Sequence, residues 1–219
     1  MFIRLFILFA FVFITTAGML PAQTLITSFD DISYWIGTGS NQSAMVVDWK
    51  DGKVPESLAW GFRWNGVATG EDMLRAVAGS IGTTTAPAAP NPGGDPSLTL
   101  YTIFFSSFGF AVEELRYDLG GGDQHREGGF SSSSAGYWSY WTSGASLALP
   151  TTWVSSEVGM GDRVLTNNSW DGWSWAADFV GVAPDQPISA VPEPGTVALL
   201  IVVAGGWILL RTRKNFIRP

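Results

Sequence analysis

Ala44-Met45-Val46-Val47-Asp48-Trp49, then Asp51-Gly52, then Leu58-Ala59-Trp60-Gly61-Phe62-Arg63-Trp64 and Asn65-Gly66: this stretch decides the fold. The first run is β-branched and apolar, Asp51-Gly52 offers turn chemistry, and the second run resumes the extended pattern. Together they predict a long hairpin within a strand-like region from Trp35 to Trp64. In Trp60-Gly61-Phe62-Arg63-Trp64 a ring recurs at every second residue, so a strand sends all three to one face. Asn65-Gly66 tolerates positive φ and ends the strand.

Working outward, Thr69-Gly70-Glu71-Asp72-Met73-Leu74-Arg75-Ala76-Val77-Ala78-Gly79 predicts the principal helix. Thr69 caps its first turn, Asp72 completes a capping box, the acids suit the positive N-terminal end, and Gly79 stops it. Met73, Leu74 and Val77 form the stripe to be buried. Residues 81–96, rich in Thr, Ala, Pro and Gly, read as a surface loop. Strands follow at 98–105 and 108–117, the second broken near Glu113-Glu114, where a helical turn is the alternative. Residues 120–129 read as a mobile loop. Further strand candidates are 136–143, Trp153, 163–165 and 173–180, and 183–191 reads as a linker holding the domain off a membrane. Hairpin, helix and further strands predict an α+β domain over 23–182, mainly antiparallel sheet with one helix across a face.

The two ends of the chain carry a different pattern. Arg4 precedes an apolar run, Leu5 to Ile14, and small residues lead to Ala22. That run is too short to span a bilayer and fits a cleavable signal peptide over 1–22, with the mature chain starting at Gln23. An uncleaved anchor is the competing reading. Residues 195–210 are without charge and are followed by Arg211, Arg213 and Lys214. As a helix they reach roughly 24 Å, a short transmembrane segment whose basic flank stays cytoplasmic, with 215–219 as a cytoplasmic tail. A buried core helix is the alternative for that run.

Pro192-Glu193-Pro194, the apolar segment and the basic cluster, three ordered elements over 192–214, resemble the PEP-CTERM sorting signal of Gram-negative bacteria. The resemblance implies processing by signal peptidase and by an exosortase that recognises the Pro-Glu-Pro motif. The protein would sit in the inner membrane with its domain outside the cytoplasm, then reach the cell surface or extracellular matrix. Residues 215–219 prolong the tail beyond the family's pattern.

A second resemblance lies in the middle of the chain. Val46-Val47-Asp48-Trp49, the Thr69 helix start, Phe108-Gly109-Phe110, Tyr137-Trp138-Ser139-Tyr140-Trp141 and Gly161-Asp162-Arg163-Val164 look like landmarks of the transcobalamin-like C-terminal module. That resemblance implies a β-grasp-like fold and a corrinoid or other small ligand. The loops at 81–96 and 120–129 and the tryptophans at 170–175 depart from it.

Between Gln23 and Ala190, 18 acidic residues stand against 7 basic ones, which disfavours nucleic acid as a partner. With no cysteine, stability in an oxidising compartment must come from packing. No phosphate loop, nucleophile elbow, zincin motif or dinucleotide fingerprint is present, and no cofactor or catalytic residue is assigned. The single histidine, His125, reads as a solvated loop residue. Asp30-Asp31, Glu71-Asp72 and Glu113-Glu114 are candidate carboxylate pairs for a glycan-acting enzyme, although adjacent strand residues face opposite sides. Asp48, Asp51, Asp171 and Asp178 lack calcium-loop spacing, so no metal ligand is assigned.

Ten of the 11 tryptophans lie in the exported region. Alternating aromatics in a sheet fill the core or pair across strands; exposed, they stack on sugars or flat macrocycles. Trp138, Trp141, Trp173 and Trp175 are the candidate contacts for a glycan or small molecule, at least one being expected at the surface. The sequence thus predicts a non-enzymatic binding or architectural domain, with a small-ligand module and a glycan-acting enzyme as alternatives.

Overall fold

A computed structural model of the chain describes residues 25–107, 109–119, 124–128 and 136–190. The segment 1–22 read as a signal peptide, the Pro192-Glu193-Pro194 motif, the apolar run 195–210 and the basic cluster Arg211, Arg213 and Lys214 lie outside these residues. Among those described, the fold is α+β: mostly β-sheet, rich in buried tryptophan, with one helix.

The hairpin forms as its sequence dictates. β1 (Trp35–Gly37) is followed by β2 (Asn41–Asp48) and β3 (Ser57–Trp64), which run antiparallel with Met45 opposite Trp60 and Val47 opposite Leu58. The connecting turn places Lys50 and Gly52 at positive φ, 49° and 73°. Trp60, Phe62 and Trp64 all project into one core, the last two rings stacked at 5.5 Å.

Helix α1 (Gly70–Val77) starts at the Thr69 cap with both halves of the capping box made, and buries Met73, Leu74 and Val77 completely. Gly79 does not stop it. The chain passes straight into β4 (Ala78–Thr83), and a Cβ at Gly79 would run into the Asp95 carbonyl where that strand bulges against β6. Gly79 therefore serves a close approach of two backbones, not a helix end.

Residues 81–96 are not a loop. They contain the second half of β4 and all of β5 (Ala86–Pro90), an exposed strand whose prolines sit at a sheet edge, where one side of the ladder needs no N–H. β6 (Asp95–Phe105) and β7 (Gly109–Tyr117) follow. Glu113 is the extra residue of a β-bulge, since Tyr101 faces Glu114 and Thr102 faces Val112. β8 (His125–Gly128) pairs with the end of β7 and occupies part of the predicted mobile loop. These strands make a five-stranded sheet in the order β5-β4-β6-β7-β8.

The chain then returns through β9 (Gly136–Ser143), β10 (Val154–Ser155), β11 (Ser169–Ala177) and β12 (Ile188–Ser189). The seven-stranded sheet runs β1-β3-β2-β11-β9-β10, with β12 also on β3. β11 lies between β2 and β9, parallel to one and antiparallel to the other, and all but its last residue are buried. Residues 163–165 form no strand, only an isolated bridge from Val164 to Thr69.

One core joins the two sheets and α1. A second, built from Ile26, Phe29, Ala44, Val46 and Trp170 with their neighbours, fills the outer face of the seven-stranded sheet. The stretch read as a linker packs on the sheet, its Ala190 and Ile188 joining the first core. Asp185 N–H bonds Asp48, Gln186 bonds the Ile26 carbonyl, and buried Ala190 bonds the Ala59 carbonyl at 2.9 Å. Residues 185–190 are thus a strap on the sheet and not a spacer.

Candidate functional site

Register settles where the candidate tryptophans point. β9 and β11 are adjacent, with Trp138 opposite Trp175 and Tyr140 opposite Trp173, so these four rings share the inner face. Trp138, Trp173 and Trp175 are buried at 7%, 2% and 5% exposure. Trp141 lies on the outer face, half-buried, its N–H given to Ser139 Oγ at 2.9 Å. No open stacking platform is formed by the four. Three tryptophan N–H groups instead cross between the sheets: Trp60 to Asp95 at 2.7 Å, Trp49 to the Leu115 carbonyl at 3.1 Å, and Trp138 to the Glu127 carbonyl at 3.2 Å.

The acids are drawn inward too. Asp171, fully buried on β11, accepts from Tyr140 Oη and from Arg163 Nη2 at 3.3 Å. Burial pushes the Asp171 carboxyl above its usual range against the opposing pull of Arg163 and the two bonds. Burial and the Asp171 charge push the Tyr140 phenol upward, so it remains a donor. Asp48, buried on β2, is held by Lys50 at 2.8 Å and by the Asp185 N–H. Asp31 caps its own short turn, Asp72 caps α1, Glu71 pairs with Arg75, and Glu114 pairs with Arg116 and Arg126. The three adjacent pairs therefore serve turns, caps and strand pairings.

His125 overturns its reading as a solvated residue. It is 1% exposed, stacked on Trp49 at 4.9 Å, with Nδ1 3.0 Å from Asp51 Oδ2. The cause is long-range: pairing of β8 with β7 sets His125 opposite Tyr117, where it covers the β2–β3 turn. Nothing local in Gly122-Asp123-Gln124-His125-Arg126 signals this. Asp51 also receives the Lys53 N–H, and these bonds outweigh burial to hold its carboxyl below the usual range. Glu127 nearby is pushed up by burial and by the Asp51 charge.

Sequence reasoning missed the concavity. A cleft of about 430 Å³ opens between β9 and the Phe110–Val112 part of β7, closed on a third side by residues 155–160. The size is within the range of small-ligand sites. Apolar walls come from Phe110, Val112 and Met160, and the rim carries Ser155, Ser156 and Glu157. Helix α1 fixes the closing loop, because its first N–H groups donate to the Arg163 and Met160 carbonyls at 2.9 Å each. One carboxylate, Glu157, lies among the described lining residues, whereas glycoside hydrolysis by two carboxyl groups needs a facing pair. No family model, curated protein or solved structure matches this chain, so the cleft is interpreted from its own geometry.

Proposed function

We propose that this is an exported protein, sorted to the cell surface or matrix through Pro192-Glu193-Pro194, whose domain is a non-enzymatic binding and architectural module. The observation that carries the domain half is the use of its reactive groups. Asp48, Asp171 and His125 are all spent on internal ties, while the cleft between β9 and β7 carries hydroxyls and a single carboxylate among its described lining residues. For the sorting half, the support is the order of three elements in the sequence, Pro192-Glu193-Pro194, the uncharged run 195–210 and the basic cluster Arg211, Arg213 and Lys214. The β-grasp-like, corrinoid-binding alternative has less support, since Trp138 of its most distinctive block is committed to the Glu127 carbonyl.

Mass spectrometry of the surface form tests the proposal. In an exosortase-positive host the mature chain should begin near Gln23 and end near Pro194. An intact peptide spanning 194–210 in surface material would sink it.

A further inference from the structure

A second concavity, of about 390 Å³, lies on the outer face of the seven-stranded sheet, and a missing side chain makes room for its walls. Gly172 sits mid-way along β11, between Asp171 and Trp173. A Cβ there would come within 2.6 Å of the Pro184 ring and 3.3 Å of the Trp153 ring. Both rings therefore rest on bare backbone, and both line the concavity. The other walls are tied in place. Leu149 N–H donates to the Thr27 carbonyl at 2.8 Å, Asp185 N–H to Asp48 at 2.7 Å, and Gln186 Nε2 to the Ile26 carbonyl at 3.0 Å. The site is thus formed before any ligand arrives, and its size is within the range of small-ligand sites. Leu25, opposite Ile188, and Ala190, the first and last described residues, both lie farther along the strap than Gln186.

The indole of Trp153 stands apart from its neighbours. On the same face Trp35, Trp141 and Trp170 give their N–H groups to protein oxygens at 2.8, 2.9 and 2.8 Å. Trp153 has no such acceptor among the described residues, its N–H is not buried, and its ring is half-buried at the wall of the concavity. A pyranose carries C–H bonds on its faces and hydroxyls around its rim, so it suits an indole flanked by polar groups. Those groups are present. Gln186 spends Nε2 on Ile26 and keeps Oε1 as an acceptor, and the exposed Thr151 hydroxyl has no partner among the described residues. The Asp185 side chain is 73% exposed and meets Lys50 through one oxygen, leaving the other to accept. Lys50 is shared between Asp48 and Asp185 at 2.8 and 2.5 Å, so one ammonium faces two carboxylates. Such a wall accepts hydroxyl donors and repels an anion.

We infer that this concavity is a subsite for a neutral pyranose unit of a polysaccharide, stacked on Trp153 with its hydroxyls given to Asp185 and Gln186. The inference rests on the binding half of the reading above and is independent of the sorting half. The indole supplies the stacking surface and the Asp185 and Gln186 oxygens fix the orientation of the ring, while the carboxylates set the preference against uronic acids.

The test is affinity electrophoresis of the full chain in detergent micelles, through native gels holding a β-glucan, an α-glucan, a mannan, a galactan or, as the anionic counterpart, a polyuronate. At least one neutral polysaccharide should retard the chain, and the polyuronate should not. Trp153→Ala should weaken that retardation at least about tenfold in apparent affinity. Thr151→Arg, which fills the concavity from an exposed position, should do the same, and it decides the matter if circular dichroism shows Trp153→Ala to disturb the fold. Retardation unchanged in Thr151→Arg and in a folded Trp153→Ala would overturn the inference while leaving a binding domain whose glycan site lies elsewhere. Stronger retardation by the polyuronate, or none by any neutral polysaccharide, would overturn it too, and the second result would take glycans out of the binding reading altogether.

Discussion

The two faces of the seven-stranded sheet use tryptophan for different purposes. On the inner face Trp49, Trp60 and Trp138 send their N–H groups across to Leu115, Asp95 and Glu127 on the other sheet. On the outer face Trp35 and Trp170 donate to the Ile32 and Ser146 carbonyls of the segments that cover them, each at 2.8 Å. Trp153 lies half-buried over Gly172, where a Cβ would meet its ring at 3.3 Å. An indole is a large apolar body with one donor at its edge, and it is buried at little cost only when that donor is met. Inner tryptophans therefore fix the offset between two sheets, while outer ones pin loops to a finished sheet. In a chain without cysteine the inner set does the joining that cross-links would otherwise do.

The comparison breaks first at Trp60. Trp60→Ala should cost about 3 to 5 kcal/mol in denaturant unfolding, and more than Trp153→Ala on the outer face. Trp60→Phe sharpens the point, because it keeps most of the bulk and deletes the donor to buried Asp95. A loss of about 1 to 3 kcal/mol is expected. If Trp60→Phe matches the parent, the inner face is held by volume alone and the distinction between the faces is lost.

An effect smaller than that of Trp60→Ala tests the polar tie beside the cleft. Tyr140 stacks on Trp173 at 4.6 Å and donates to Asp171, which is otherwise met by Arg163. Tyr140→Phe preserves the stack and removes the donor, so it should cost about 1.5 to 3 kcal/mol. A neutral result would show that Arg163 alone satisfies the carboxylate.

Much of the inner face was legible in the sequence and little of the outer face was. The Trp60-Gly61-Phe62-Arg63-Trp64 alternation and the Thr69 to Asp72 cap are local signals, and both appear as read. The edge strand β5 has no local signal, since Ala86-Pro87-Ala88-Ala89-Pro90 buries almost nothing and is held by β4 alone. β8 and the strap at 185–190 are likewise fixed by partners far along the chain, as in the pairing of Ile188 with Leu58. The cleft was hidden for the same reason. Its walls come from β7, β9 and the loop after β10, so no window of sequence contains it. The tryptophans were visible as a cluster, but which face each occupied depended on the β9–β11 register.

The smallest expected effect concerns the contact between the β2–β3 turn and β8, where the inner core reaches its rim. Asp51 is held there by His125 and Lys53, and these partners keep its carboxyl below the usual range although burial pushes the other way. Folding thus favours the ionised form. The stability this contributes is fully present above the unfolded value near pH 4 and is lost as pH falls through the lower folded value. Asp48 and Asp171 are pushed upward by burial, so the acid unfolding curve of the parent mixes opposite signs. A difference measurement separates them. Asp51→Asn should be less stable than the parent by about 1 kcal/mol at neutral pH, the worth of one internal hydrogen bond, and the gap should shrink progressively as pH drops below about 4. A gap that stays constant down to about pH 2 would mean that the Asp51 charge contributes nothing. His125 would then be held at the rim by its stack on Trp49 and the β7–β8 pairing alone.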